Sequence, residues 1–176
     1  LAEAISEGAE AAGLETRLRT VPSVQASHAP ASAEDSLMDR AGYLYATKDD
    51  LADCAALALG SPSRFGAIAA PLKAFLEDTS DLWISGTLID RPAGVFTSAS
   101  SLHGGHEGVL QSMMMPLLHH GMVICGLPYS EPGLAQHSGG GTPYGPSHLD
   151  GDALAPHEQA LAQALGRRLA HWSKRS

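Results

Sequence analysis

Positive charge is scarce in this chain. Eleven Lys and Arg stand against 19 Asp and Glu over 176 residues, for a formal net charge of −8. The basic residues are scattered apart from Lys174 and Arg175 in the tail. Phosphate tracking needs clustered cations, so a nucleic-acid partner is excluded. Cysteine is nearly absent too. Cys54 and Cys125 form no CxxC pair and sit in apolar runs, as buried thiols of a reducing compartment do. The longest apolar stretch, Met113 to Tyr129, is broken by Pro116, His119, His120 and Gly121 and is too short to span a bilayer. With no signal peptide in view, the expected setting is cytoplasmic, away from membranes. No GxSxG elbow, Walker A loop or helical HExxH occurs, so Ser-His-Asp hydrolysis has no support and redox chemistry is the better fit. What is present, 44% hydrophobic and 17% charged residues, suits one globular domain with a real core, residues 1–176.

The chain reads as alternating helices and strands. A helix opens it, with Leu1, Ala4, Ile5 and Gly8 on one face, Glu3, Glu7 and Glu10 on the other, and Gly13 as its stop. No N-cap residue precedes Leu1, so a further segment before it is expected. Glu15 to Val21 reads as a strand and Pro22 to Arg40 as a loop rich in Ser, Ala and Pro. Thr47 to Asp53 is a short helix capped by Thr47, and Cys54 to Leu59 a buried parallel strand. After the turn SPSRFG at 61–66, a helix carries Ile68, Leu72, Phe75 and Leu76 on one face. Gly94 to Phe96 is a strand, His106 to His120 a helix kinked or weakened by Pro116, and Met122 to Leu127 a strand. A long polar connection, at about 130–155 and set apart as an insertion only by the family resemblance named below, precedes a last helix with Pro156 at N1 and Leu161, Leu165, Leu169 and Trp172 on one face. This order predicts an α/β fold with a doubly wound parallel sheet.

Three strand ends converge on one rim of such a sheet: 60–63, Thr97 to Gly105, and Pro128–Tyr129. The second offers hydroxyls, backbone N–H groups and glycines, the donors that the edge of a flat heteroaromatic ring requires. Of the nine histidines, His103, His106, His119 and His120 invite a metal reading. However, His119 and His120 are adjacent and point about 100° apart on a helix, so no metal site is expected. Both fall in a last turn, where imidazolium complements the helix dipole. His137 and His148 read as ordinary loop residues. Trp83 has two readings, a core aromatic or a wall on which an aromatic ring stacks. Met113 to Met115 reads as core packing.

Six motifs then coincide in order: SPSRFG at 61–66, LW at 82–83, VFTSASSLHGGHE at 95–107, LLHHGM at 117–122, GLPYSEP at 126–132 and GGTPYG at 140–145. Together they resemble the WrbA-type flavodoxin-like NAD(P)H:quinone oxidoreductases through nearly the whole chain. The resemblance implies FMN as cofactor, NADH or NADPH as reductant, a quinone as substrate, and a homotetramer with ring sites near subunit contacts. It implies a five-stranded sheet of order 2-1-3-4-5, whose first strand and phosphate loop would precede Leu1. By motif position, Ser63, Arg64 and Phe65 would line the isoalloxazine edge. Ser98, Ala99, Ser100, Ser101, Leu102, His103, Gly104 and Gly105 would form the second flavin loop, with His103 standing where shorter versions carry Gly. His119 would approach the ring and Trp83 would stack on the substrate, the pair serving as catalytic residues. The alternative is a flavin-binding regulatory scaffold with little turnover. A plain electron-transfer flavodoxin fits less well, because Trp83 and the GGTPYG insertion are extra to it.

Overall fold

The computed structural model describes residues 1–24, 37–136, 138–151 and 153–175; His137 and much of the expected 22–40 loop lie outside them. In chain order the elements are α1 (Ala2–Ala11), α2 (Lys48–Asp53), β1 (Leu57–Pro62), α3 (Ala70–Glu77), α4 (Ser80–Ser85), β2 (Pro92–Ala99), α5 (His106–His119), β3 (Val123–Ile124), a 3₁₀ turn (Pro132–Ala135), β4 (Ser147–Leu149) and α6 (Pro156–Ser173).

β2 is the axis of the sheet. It pairs in parallel with β1 along its length, from Leu57↔Ala93 to Pro62↔Ser98. On its other side it pairs in parallel with β3 at its start and with β4 at its end. The last strand position is therefore shared by two short strands, and the segment between them loops out. The Met122 to Leu127 strand proves short for that reason. Cys125 N still donates to Ala93 O at 2.7 Å, but Leu127 N turns away to Pro143 O at 2.8 Å.

The two faces are covered by different helices. One core layer joins Leu59, Val95, Val109, Leu110, Met113 and Leu117; the other joins Ala4, Ile5, Cys125, Leu161, Leu165 and Leu169. α1 and α6 pack closely because glycines meet across them: a Cβ on Gly8 would stand 2.1 Å from Gln163 O, and one on Gly166 2.0 Å from Ile5 O.

The α/β class and the parallel sheet with helices on both faces are as expected. Among the described residues the sheet has four strands, ordered β1-β2 and then β3 with β4, and the first of the five expected strands would precede Leu1. Several finer expectations need correction. Glu15 to Val21 joins no strand pair. Thr20 makes only an isolated bridge to Tyr45, with Thr20 N donating to Leu44 O and Ala46 N to Thr20 O. The strand read as Cys54 to Leu59 begins three residues later. Arg91 Nη1 donates to the carbonyls of Leu51, Ala52 and Cys54, which holds that stretch as the end of α2. β2 is longer than Gly94 to Phe96 because both of its edges are paired. α5 runs through Pro116, which sits near its end and forfeits only the bond to the Ser112 carbonyl. The capping of α2 by Thr47 is as expected, with Asp50 N donating to Thr47 Oγ1 and Thr47 N to Asp50 Oδ2.

Candidate active site

The carboxyl ends of β1 and β2 open into a recess of about 450 Å³, lined by Ser63, Phe65, Gly66, Ala99, Ser100, His103, Gly104 and Gly105. One wall is the turn after β1. Ser63 N donates to Ser98 O at 2.7 Å, and Arg64 and Ala67 exchange backbone hydrogen bonds. Phe65 adopts φ 53° and presents its ring entirely to solvent. The other wall is the loop after β2, closed by Gly104 N donating to Ser101 O at 3.0 Å. Ser63 Oγ donates to Gly104 O and so ties the two walls together.

Glycine is required here by space. A Cβ on Gly104 would lie 2.5 Å from Ala99 Cβ, and one on Gly105, at φ 86°, 2.8 Å from Gly66 Cα. Gly105 is also the N-cap of α5, so the positive end of a helix of 14 residues faces the recess. Hydroxyls, an exposed imidazole and a helix N-terminus make a donor-rich edge, and an exposed phenyl ring offers an apolar face. This donor set fits the edge of a reduced flavin, which gains negative charge near N1.

The structure brings together most of the residues expected here and leaves some out. Ser98 instead borders a second cleft of about 640 Å³ that also touches Ser61, Thr97, His148 and Leu1. Leu102 and Ser101 form the exposed crest of the loop, and Arg64 stands outside the recess. His119 and Trp83 lie elsewhere. His119 closes the far end of α5, roughly 20 Å along the helix from His106 at 1.5 Å per residue. Trp83, half exposed on α4, is at that same amino end of the sheet. The N-cap of α4, Thr79, is joined there to His120, whose Nε2 lies 2.9 Å from Thr79 Oγ1. Thr79 Oγ1 donates to Leu76 O, so it must accept from His120 Nε2–H, which fixes the imidazole tautomer. His120 Nδ1 is buried and has no partner among the described residues. Burial, aided by neighbouring His119, holds His120 below its ordinary pKa. One chain therefore does not place His119 or Trp83 at the recess.

One residue of consequence, Glu158, was not singled out from the sequence, and another, His148, was expected to be an ordinary loop residue but stands in β4 with both ring nitrogens engaged. Glu158, in the first turn of α6, is 1% exposed. Its Oε1 accepts from Gly140 N at 2.6 Å and Leu149 N at 3.1 Å; its Oε2 accepts from Ala155 N at 2.9 Å and His148 Nδ1 at 2.7 Å. Burial alone would raise the Glu158 carboxyl, but His148 and the three amides hold it below its ordinary range. His148 Nε2 meets Gly151 O at 3.0 Å. Both ring nitrogens thus face acceptors, and the Gly151 carbonyl and the Glu158 carboxylate raise the imidazole above its ordinary pKa, against the effect of burial. The visible signal for Glu158 was its N3 position behind Pro156, where a carboxylate reaches back to the N-cap amide.

Similarity to known proteins gives the family and the fold. Residues 1–130 match the family described as NADPH-dependent FMN reductase. The chain belongs to that family. A relative from Syntrophobacter fumaroxidans, named NAD(P)H dehydrogenase (quinone), is 38% identical over 99% of this chain and 90% of its own length. One of the same name from Paracoccus denitrificans is 40% identical over 94% of this chain and 79% of its own. A crystal structure of a flavodoxin, WrbA-like protein from Agrobacterium tumefaciens superposes with a TM-score of 0.68 at 23% identity, covering 98% of this chain and 87% of that one. That likeness places this FMN reductase family member in the flavodoxin-like fold, with its recess at the strand ends where such sheets bind ligands.

Proposed function

We propose that the recess between Ser63–Gly66 and Ala99–Gly105 holds the ring of FMN, and that this is where the chain acts. The protein is an FMN-dependent NAD(P)H:quinone oxidoreductase of the WrbA type. The observation that carries the site reading is the donor-lined recess at the carboxyl ends of β1 and β2, closed by two glycines that admit no side chain. When bound, FMN would supply the redox chemistry, ping-pong hydride transfer that links oxidation of NAD(P)H to two-electron reduction of a quinone.

The chain's own residues bind, orient and exclude water. Ser63 braces the loop through Gly104 O, the Ser100–Gly105 loop and the α5 N-terminus offer donors to the ring edge, and Phe65 covers a face. His119 and Trp83 belong to the same reaction through a neighbouring subunit: His119 holds or delivers a proton to the quinone, and Trp83 stacks on it. Exposed apolar side chains on and around α4 and α5 (Trp83, Ile84, Ile89, Met115 and Leu118) support a homotetramer that covers that end of the sheet. No helix among the described residues is long and apolar enough to cross a membrane, which accords with a cytoplasmic enzyme acting on quinones that reach it from solution.

Steady-state oxidation of NADH or NADPH with benzoquinone tests the activity. Flavin-dependent turnover of ~1 per second or more is expected. FMN binding without turnover would favour a regulatory scaffold.

A further inference from the structure

The loop that forms one wall of the recess is anchored, at both of its ends, to a single short strand. At its start, β4 pairs with the last residues of β2: Thr97↔Ser147, Ser98↔His148 and Ala99↔Leu149. Thr97 N donates to Pro146 O at 3.1 Å and Asp150 N to Ala99 O at 3.1 Å. At its other end, the buried His106, first residue of α5, places Nε2 3.2 Å from His148 O. Residues 100–105 hang between these two attachments, so the position of β4 sets the position of the loop.

β4 is only three residues long and cannot fix itself by its ladder alone. It is held instead by α6. The Glu158 carboxylate takes the Leu149 amide directly, takes the His148 ring beside it, takes Gly140 within the insertion, and takes Ala155 at the start of its own helix. His148 then bridges on to Gly151 O, which closes the turn after β4. Four donors converge on one carboxylate that water does not reach.

We propose that Glu158 is a positioning residue for the flavin: by gathering His148, Leu149, Gly140 and Ala155 it fixes β4, and through β4 the Ser98–Gly105 loop. This rests on the reading that the loop holds the flavin ring. Glu158 touches neither cofactor nor substrate; it acts through the paired strand and through the carbonyl of His148.

The isosteric Glu158→Gln variant keeps the volume but turns an NH₂ group toward one pair of donors. Hydrogen exchange on the flavin-free protein reads the mechanical part. Amides at 97–106 and 147–149 are expected to exchange ~10-fold faster, the scale of one lost buried hydrogen bond, while those of α3 do not change. FMN titration by flavin fluorescence and the visible circular dichroism of the loaded protein read the consequence: a dissociation constant raised ~10-fold and an altered ring band. Unchanged exchange at 97–106 overturns the proposal. So does acceleration spread equally over α3, which would mark Glu158 as a general stabiliser. Faster loop exchange with FMN affinity and spectrum untouched would instead overturn the flavin-loop reading, and the positioning role with it. If Glu158→Gln does not fold, His148→Gln removes only the ring contacts and is held to the same pattern.

Discussion

The two ends of β2 treat their buried polar groups in opposite ways. At the carboxyl end, Glu158 is filled by four donors, His148 by two acceptors, and Ser63 joins the two walls of the recess. At the amino end, His120 is buried too but keeps one ring nitrogen without a partner among the described residues, and Trp83, Ile84 and Leu118 stay exposed around it. A satisfied network holds one geometry, which suits a recess that must be ready before its ligand arrives. An end with an unfilled buried atom and an apolar rim is suited to being completed by another chain. The difference supports the proposed reading, in which the cofactor binds within one subunit and His119 and Trp83 act from a neighbouring one.

The largest effect is expected where the two ends share a support. Leu117 on α5 is almost wholly buried in the core layer under β2, so Leu117→Ala should cost about 2–5 kcal/mol in denaturant unfolding. A cost below about 1 kcal/mol would show that this core layer collapses into the vacated space and that α5 is not the rigid support assumed for both ends.

Next comes Gly105→Val, which forces a β-branched residue into φ 86° against Gly66. About 2 kcal/mol of backbone strain predicts FMN affinity weakened roughly 30-fold with little effect at the amino end, measurable by fluorescence titration and by the size of the assembly.

A subunit-mixing experiment then sharpens the comparison. His119→Ala and Gly105→Val proteins, assayed at an FMN concentration that leaves Gly105→Val mostly unloaded, should regain activity when unfolded and reassembled together, because each supplies the half the other lacks. Persistent inactivity of mixed assemblies, shown by mass spectrometry to have formed, would place both halves in one chain and sink the reading.

The smallest effects are in pH. His120 is held below its ordinary pKa of 6.5, so the fold favours its neutral form; stability present above 6.5 should fall as pH drops below it, and His120→Asn should flatten that slope. His148 is held above 6.5, so its contribution is complete below 6.5 and should fade as pH rises through its folded value. Glu158 is held below 4.5, so what it contributes above 4.5 should be lost only in stronger acid. Thermal unfolding of the single variants across these ranges separates the three.

Much of the fold was legible because it is written locally. The apolar stripe of α5, Pro156 at the start of α6, and the Thr47–Asp50 cap depend on neighbours within one or two turns. The recess was legible in part, since a Ser- and Gly-rich loop between a strand and a helix needs only its own residues to be recognised. Glu15 to Val21 misled because an extended segment does not name its partner: it bridges to Tyr45 instead of joining the sheet. The last strand misled in the same way. Val123–Ile124 and Ser147–Leu149 share one position only because a long insertion leaves β2 and returns to it. α4 went unread because six residues carry too little periodicity, and with it went the true location of Trp83.

By itself the sequence determined the class of the fold, its longer helices and the chemistry of the loop, all set by hydrophobic period, caps and residue type over short range. Only the tertiary structure decided that a carboxylate on the last helix holds the strand behind the recess. It also decided that His119 lies a helix length away from the loop it was expected to serve. Those facts depend on which distant segments meet, and burial of the shared core settles that at long range, where no local pattern reaches.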